Sequence, residues 1–219
     1  MRTIKIEAGE PSQGVRDLLV QNVIGTPGKS LVYQHQKVDE KLKHIKDPVF
    51  LTVELGGKPV GACCFVRRTT WSGGAGIQSY YIRYFSFKSS FRSNVNDTTR
   101  PRKKSIIRKE IEQILNGKHF STGPHLFYAY VDPTNIRSNR MIDSYGFEEI
   151  GRFRTVYFSR FKPRLDESVE VLKGADLQLF KQQLKEHYAA HSLVTIENIG
   201  YEDGCIAYKT HGKVVAAIQ

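Results

Sequence analysis

Apolar residues recur along this chain in two periods, and the switches between them outline a fold. Thr3 to Glu7 alternates as a half-buried strand does. Val15, Leu18, Leu19 and Val23 then give a helical stripe over Pro11 to Asn22, broken at Gly25-Thr26-Pro27-Gly28. A second, more polar helix is expected over Leu31 to Ile45, ended by Asp47-Pro48. Val49 to Leu55 and Lys58 to Thr69 read as strands joined at Gly56-Gly57, a strong hairpin signal. After a turn over Trp71 to Gly76 comes a long aromatic strand, Ile77 to Lys88.

Ser89 to Lys104 is polar, basic and aperiodic, which predicts a loop. Ile107, Ile111, Ile114 and Leu115 share one face of a helix over Ser105 to Asn116, with Ser105 able to cap it and Gly117 to stop it. Leu126, Tyr128 and Tyr130 mark another strand. Asp132-Pro133-Thr134-Asn135 ends it, because Pro133 cannot donate to a ladder, and Thr134 or Asn135 can cap a helix. Ile136, Met141, Ile142 and Tyr145 give that helix an apolar stripe, and Gly146 suits a left-handed stop. Phe147 to Phe161 supplies one or two further strands. The order, β-α-α-β-β-β-α-β-α-β-β, is mixed α/β, antiparallel in front and β-α-β-α behind.

Lys162-Pro163-Arg164 reads as the end of a domain, dividing the chain into residues 1–164 and 165–219. Beyond it, Leu177, Phe180, Leu184 and Tyr188 mark an amphipathic helix over Ala175 to Ala190, followed by a strand pair from Gly204 to Thr210 and from Lys213 onward. Phe50 to Cys64 and Cys205 to Gln219 share Gly, Lys, Val and Ala at 57/212, 58/213, 60/215 and 62/217. The match fits an incipient second copy of the same fold, in a tandem protein cut short, or a hairpin appended to the first sheet.

Composition narrows the class. The chain has 219 residues, 40% hydrophobic and 25% charged, as in a globular protein. No apolar run approaches the about eighteen residues of a membrane span, and the N-terminus lacks a signal-peptide core. Cys63 and Cys64 are adjacent and Cys205 is distant, neither a disulfide framework nor a zinc pattern. They read as small buried hydrophobes in a reducing cytoplasm. Metal-ligand spacings, a nucleophile elbow and a P-loop are absent, so no metal is expected.

The formal net charge of +11 calls for an anionic partner: nucleic acid, a membrane surface or a phosphate-rich cofactor. Arg152, Arg154, Arg160, Lys162 and Arg164 read as a solvated basic face. Arg100, Arg102, Lys103, Lys104, Arg108 and Lys109 surround a helix start, whose unsatisfied amides and positive dipole end welcome an anion.

From Tyr128 to Phe147 the chain reads Y-A-Y-V-D-P-T-N-I-R-S-N-R-M-I-D-S-Y-G-F. This stretch resembles the second half of an acyl-CoA-binding site in the GCN5-related N-acetyltransferase superfamily, and element order extends the resemblance over about residues 3 to 162. Asn135, Ser138 and Gly146-Phe147 match the family's last-helix pattern; Ile142 stands where the family has the Tyr that often protonates the departing thiolate. The Gly-x-Gly of the phosphate loop is also missing: Phe87-Lys88-Ser89-Ser90-Phe91-Arg92 is followed by a polar insert and then Arg102-Lys103-Lys104-Ser105.

The resemblance implies an α/β fold with a mixed, mainly antiparallel sheet flanked by helices, and transfer of an acetyl group from acetyl-CoA to an amine. It puts Ser86, Phe87, Lys88, Arg92, Lys103, Lys104, Ser105, Asn135 and Ser138 at the cofactor, with a β-strand amide near Ser86-Phe87 meeting the thioester oxygen. Tyr84, Tyr130 and Tyr145 are candidates for the missing acid, with core packing the alternative role for each. Two other classes stand beside the enzyme: a non-catalytic module binding CoA or a partner on the same fold, and a nucleic-acid-binding protein. Against the last, the basic residues are not interleaved with exposed aromatics. Loops such as Gly25 to Lys46 and Ser89 to Arg100 leave the acceptor unnamed.

Overall fold

A computed structural model describes residues 2–25, 28, 32–72, 75–88, 106–120, 123–152, 167–191 and 205–218. Arg92, Lys103, Lys104 and Ser105 lie outside them. Of the strands expected over Phe147 to Phe161, the described part, residues 147–152, forms none, and residues 153–161 lie outside the described residues. The chain divides into two compact units. One comprises Met1–Arg68 and Ile77–Glu148, the other Thr69–Gly76 and Glu149–Gln219. The division falls ahead of the Lys162–Arg164 break expected from sequence.

The elements are β1 (Arg2–Ala8), α1 (Gln13–Gln21), β2 (Val23–Ile24), β3 (Tyr33–Gln34), α2 (Val38–Lys43), β4 (Pro48–Leu55), β5 (Lys58–Ser72), β6 (Ala75–Phe87), α3 (Ile106–Leu115), β7 (His125–Ala129) and α4 (Ile136–Asp143). Then come β8 (Val169–Leu172), α5 (Gly174–His187), β9 (Cys205–Thr210) and β10 (Lys213–Ile218). The main sheet has the order β1-β4-β5-β6-β7. β1 and β5 flank β4 antiparallel, and β7 runs parallel to β6. Gly56 and Gly57 join β4 to β5 with φ of 58° and 77°, the left-handed pair that a two-residue hairpin turn requires.

Helices cover both faces of this sheet. Val15, Leu18 and Leu19 of α1 and Val38 and Leu42 of α2 are buried against Phe50, Ala62, Cys64, Val66 and Tyr84. The cap residue Ser12 makes no side-chain cap bond to α1, so burial holds this helix. Each of its buried side chains contributes about 1.5–3 kcal/mol. On the opposite face, Ile111 and Ile114 of α3 pack with Leu51, Val53, Val60, Cys63 and Phe65. Adjacent Cys63 and Cys64 thus serve opposite cores, and burial pushes the Cys64 thiol up to about 12. Both are the buried small hydrophobes that the sequence implied.

The polar segment before β4 departs from expectation. Its helix is only Val38–Lys43, because Val38 and Leu42 alone present apolar groups one turn apart to the core. Tyr33–Gln34 pairs with Val23–Ile24 instead, in a small antiparallel ribbon.

Two slips of phase shape the sheet. Pairing steps from Val53↔Gly61 to Glu54↔Pro59, leaving Val60 over, so that Val60 and Cys63 share a face. On β6, Tyr80 stacks with Phe127 and meets Phe120 at a tilt on the α3 side, where Ile82 also packs. Phe85 and Phe87 pack on that same side, while Tyr81 and Tyr84 face α1 and α2. Alternation has therefore shifted by one residue around Arg83–Tyr84, where Tyr84 has φ 55°. Pairing with β7 ends at the same point, with Ile82↔Ala129.

In the second unit, β8 and β10 flank β9 antiparallel in a separate three-stranded sheet. Among the described residues the hairpin pairs with β8 and with no strand of the first sheet. Leu172, Cys205 and Ala207 are buried there beneath Leu177 and Phe180 of α5. The path from β8 through α5 to the β9–β10 hairpin has the pairing order of β1, its following helices and the β4–β5 hairpin. Even the turns agree: His211 and Gly212, with φ of 51° and 73°, stand where Gly56 and Gly57 stand in the first hairpin. Only Leu172 of β8 is buried, and the sequence pattern passed this short strand over.

Candidate active site

Beyond Ile82 the main sheet is split. β6 continues to Phe87 without β7 beside it, while the chain leaving β7 turns at Asp132 into α4. The slip at Arg83–Tyr84 re-aims the β6 side chains at the place where the strands part. A cavity of ≈ 250 Å³ occupies the gap, lined by residues from both faces of the sheet.

The side toward α3 and α4 is apolar. Phe85, Ile111 and Leu115 meet Met141, Ile142 and Tyr145 there. None of the residues of α4 is buried, and Ile136, expected in its apolar stripe, is 59% exposed. The other members of the stripe, Met141, Ile142 and Tyr145, are half-buried and line the cavity, an apolar wall that a ligand would cover. Tyr145 is held below Arg108, whose guanidinium carbon lies 5.3 Å from the ring centroid and whose Nη2 donates to the Ser144 carbonyl at 2.8 Å. Burial pushes the Tyr145 phenol up against the opposing pull of Arg108, so it stays protonated and able to donate.

The side toward β3 is polar and aromatic. Tyr33, His35, Tyr81, Arg83, Tyr84 and Tyr130 line it. The His35 ring meets Tyr84 edge-on at 4.9 Å and Tyr33 at 6.0 Å. Burial, and then the charges of Arg83 and Lys41, hold His35 below the ordinary histidine value. It is thus a neutral imidazole near pH 7, able to accept a proton. Nothing in its sequence neighbourhood singled it out; the signal is the β2–β3 ribbon that carries it to the cavity.

The turn from β7 into α4 forms the rim. Asp132 accepts from the Thr134 backbone N–H at 2.8 Å and its hydroxyl at 2.6 Å, which holds its carboxyl below the usual range. Asn135 caps α4, its Oδ1 accepting from Ser138 N–H at 3.2 Å.

No family model matches the sequence, and no curated protein does. Solved structures do. A conserved Enterococcus faecalis V583 protein of unknown function, described as a probable N-acyltransferase, superposes with a TM-score of 0.60 at 12% identity. The match covers 95% of this chain and 52% of that one, so this chain spans about half its length. The fold is that of the GCN5-related N-acetyltransferases. Two further solved structures align less well. Glucosamine-6-phosphate N-acetyltransferase from Arabidopsis thaliana gives a TM-score of 0.45 at 16% identity, over 72% of this chain and 99% of that one. AAC(6')-Iy in complex with the bisubstrate analog CoA-S-monomethyl-acetylneamine gives 0.46 at 15%, over 72% and 99%.

Within this N-acetyltransferase fold, the residues expected at the site separate into three groups. Tyr84, Tyr130, Tyr145, Asn135 and Ser138 all line the cavity. Ser86, Phe87 and Lys88 follow the slip without reaching it. Ser86 is buried, with no hydrogen-bond partner for its hydroxyl among the described residues, the Phe87 ring lies against Gly61, and Lys88 is exposed and donates its backbone N–H to Val60. The strand split lies before them, so the β6 backbone facing the gap is that around Arg83–Phe85. Arg92, Lys103, Lys104 and Ser105 lie outside the described residues. Among the described residues no group of His, Cys, Asp or Glu could hold a metal, and no helix is long and apolar enough to cross a membrane.

Proposed function

We propose that the chain is an acyl-CoA-dependent N-acyltransferase that moves an acetyl group from acetyl-CoA to an amine. One observation carries this reading: a cavity passes through the split between β6 and β7, apolar toward α3 and α4, polar toward β3. Two substrates can then meet in the gap from opposite faces of the sheet. The pantetheine arm takes the apolar side, over Ile142 and Met141 and past the capped turn at Asn135 and Ser138. Its pyrophosphate lies at the start of α3, on Lys103, Lys104 and Ser105, where helix amides and basic side chains favour anions. The thioester carbonyl lies at the slip in β6, whose backbone amides stabilise the oxygen as it becomes negative.

The residues then divide the proton work. His35 takes a proton from the ammonium form of the acceptor, leaving a lone pair that attacks the thioester carbon. The C–N bond forms, the C–S bond breaks, and Tyr145 donates its phenolic proton to the leaving thiolate. Tyr145 follows Ile142 by three residues, one turn along the same stripe, so its hydroxyl substitutes for the tyrosine missing at 142. The phenolate recovers its proton from the amide nitrogen through solvent.

The test has two arms. Calorimetry with acetyl-CoA should give saturable binding, weakened by about 1–3 kcal/mol in a Lys103→Glu, Lys104→Glu double variant. An amine panel should give acetyl-CoA-dependent thiol release. Binding without turnover would leave the non-catalytic CoA-binding module, which Ile142 in the cavity wall otherwise favours; absence of binding would sink the enzyme and the CoA-binding module alike and leave only a partner-binding module. We also propose that the unit beginning near residue 165 repeats the front half of the first, on the matching strand order and turns.

A further inference from the structure

We infer that the acceptor amine carries an anionic group, a carboxylate or a phosphate, held by Arg83 beside Tyr84. This rests on the acyl-transfer reading, which makes the β3 side of the cavity the acceptor side. Arg83 is half-buried, lines the cavity and stands in the slip of β6 where the strands part. Its guanidinium carbon lies 4.3 Å from the Tyr84 ring centroid and 5.8 Å from that of Tyr81, and Nη2 donates to the Tyr84 hydroxyl at 3.2 Å.

These contacts orient the guanidinium plane and leave most of its donors unused. Among the described residues no carboxylate pairs with Arg83. Arg16 has Glu10 and Asp39, Arg108 has Glu112, and Arg152 has Glu149; Arg67, Arg137 and Arg140 pair with no described carboxylate either, but of these arginines Arg83 alone lines the cavity. Asp132, the carboxylate on the cavity wall, is committed to Thr134. A fixed planar cation in a concave site, with its counter-ion missing, matches the two oxygens of a carboxylate or phosphate. A polycationic acceptor would instead meet like charge. The walls of Tyr33, Tyr81 and Tyr84 suit a flat or apolar body between the amine and the anion.

Binding of matched probes to the full chain, by calorimetry with and without acetyl-CoA, tests this separately from turnover. Phenylalanine is compared with phenethylamine, and O-phosphoethanolamine with ethanolamine. The anionic member of at least one pair should bind about tenfold more tightly, and Arg83→Gln should abolish that difference. The responding pair tells carboxylate from phosphate. Arg83→Lys, which keeps the charge and loses the fork, should retain part of the preference, and it serves if Arg83→Gln does not fold. Equal affinities within both pairs, no binding by any probe, or a preference that survives Arg83→Gln would overturn the inference. Failure of acetyl-CoA to bind would overturn the acyl-transfer reading instead, while the probe pairs still report on Arg83.

Discussion

The Phe87 ring lies on the backbone of Gly61: a Cβ built at Gly61 would come within 2.3 Å of Phe87 Cε1. No side chain fits there unless the ring moves, and the ring is packed in the α3-side core. This contact clamps the end of β6 onto β5 just past the split, so it fixes the strand from which the cavity opens. Gly61→Ala should lower unfolding free energy by about 1–3 kcal/mol, as overpacking does. Combining it with Phe87→Leu should cost less than the sum of the two single changes. Additive losses in urea denaturation would separate the two residues.

Asn135 is a cap that also touches the cavity. Asn135→Ala should cost about 1 kcal/mol, whereas Asn135→Asp keeps an accepting oxygen and should fold nearly as well. If the Asn135 amide also donates to CoA, the Asp variant loses that donor and brings a negative charge to the cofactor. Its CoA affinity should then fall at least about fivefold at normal stability. Equal affinity would leave Asn135 as a cap alone.

Tyr145→Phe separates packing from acid chemistry. The ring stays under Arg108, so acetyl-CoA should bind as before, while kcat falls about a hundredfold or more. A kcat within about threefold of the parent would assign the proton to another group or to water.

His35 predicts an acid-side loss of both activity and stability. Its folded value is depressed by burial, then by Arg83 and Lys41, with Tyr33 and Tyr84 as its ring neighbours. The unfolded chain therefore binds the proton more readily. The stability tied to neutral His35 is complete above its ordinary value of about 6.5 and drains away as pH falls through the lower folded value. His35→Gln should narrow the difference in unfolding free energy between about pH 8 and about pH 5, and should remove the matching acid limb of kcat. An unchanged acid limb would dismiss His35 as the base.

Elements whose interacting residues lie close together in the chain are legible in its sequence, and those built from distant residues are not. Local patterns located α1, α3, α4 and the β4–β5 turn, because capping, periodicity and left-handed glycines are properties of a few neighbouring residues. In the polar segment before β4, Tyr33–Gln34 is strand and not helix, because its backbone finds a partner at Val23–Ile24, about ten residues away, and pairing of that kind leaves no local periodicity. Ile136, Met141 and Ile142 read as a core stripe; periodicity reports that a face is apolar and not what covers it.

By itself, then, the sequence determined β1, α1, the run from β4 to α4, the two hairpins, the capped turn at Asn135 and the basic run before α3. Each depends on side-chain chemistry within one or two turns of chain. Tertiary structure alone decided the slip at Tyr84, the end of the β6–β7 pairing at Ile82, and the meeting of His35, Arg83 and Tyr145 around one cavity. Those three residues are far apart in sequence and come from a ribbon, a bulged strand and a helix end. Their proximity is a product of sheet register, which depends on every strand at once.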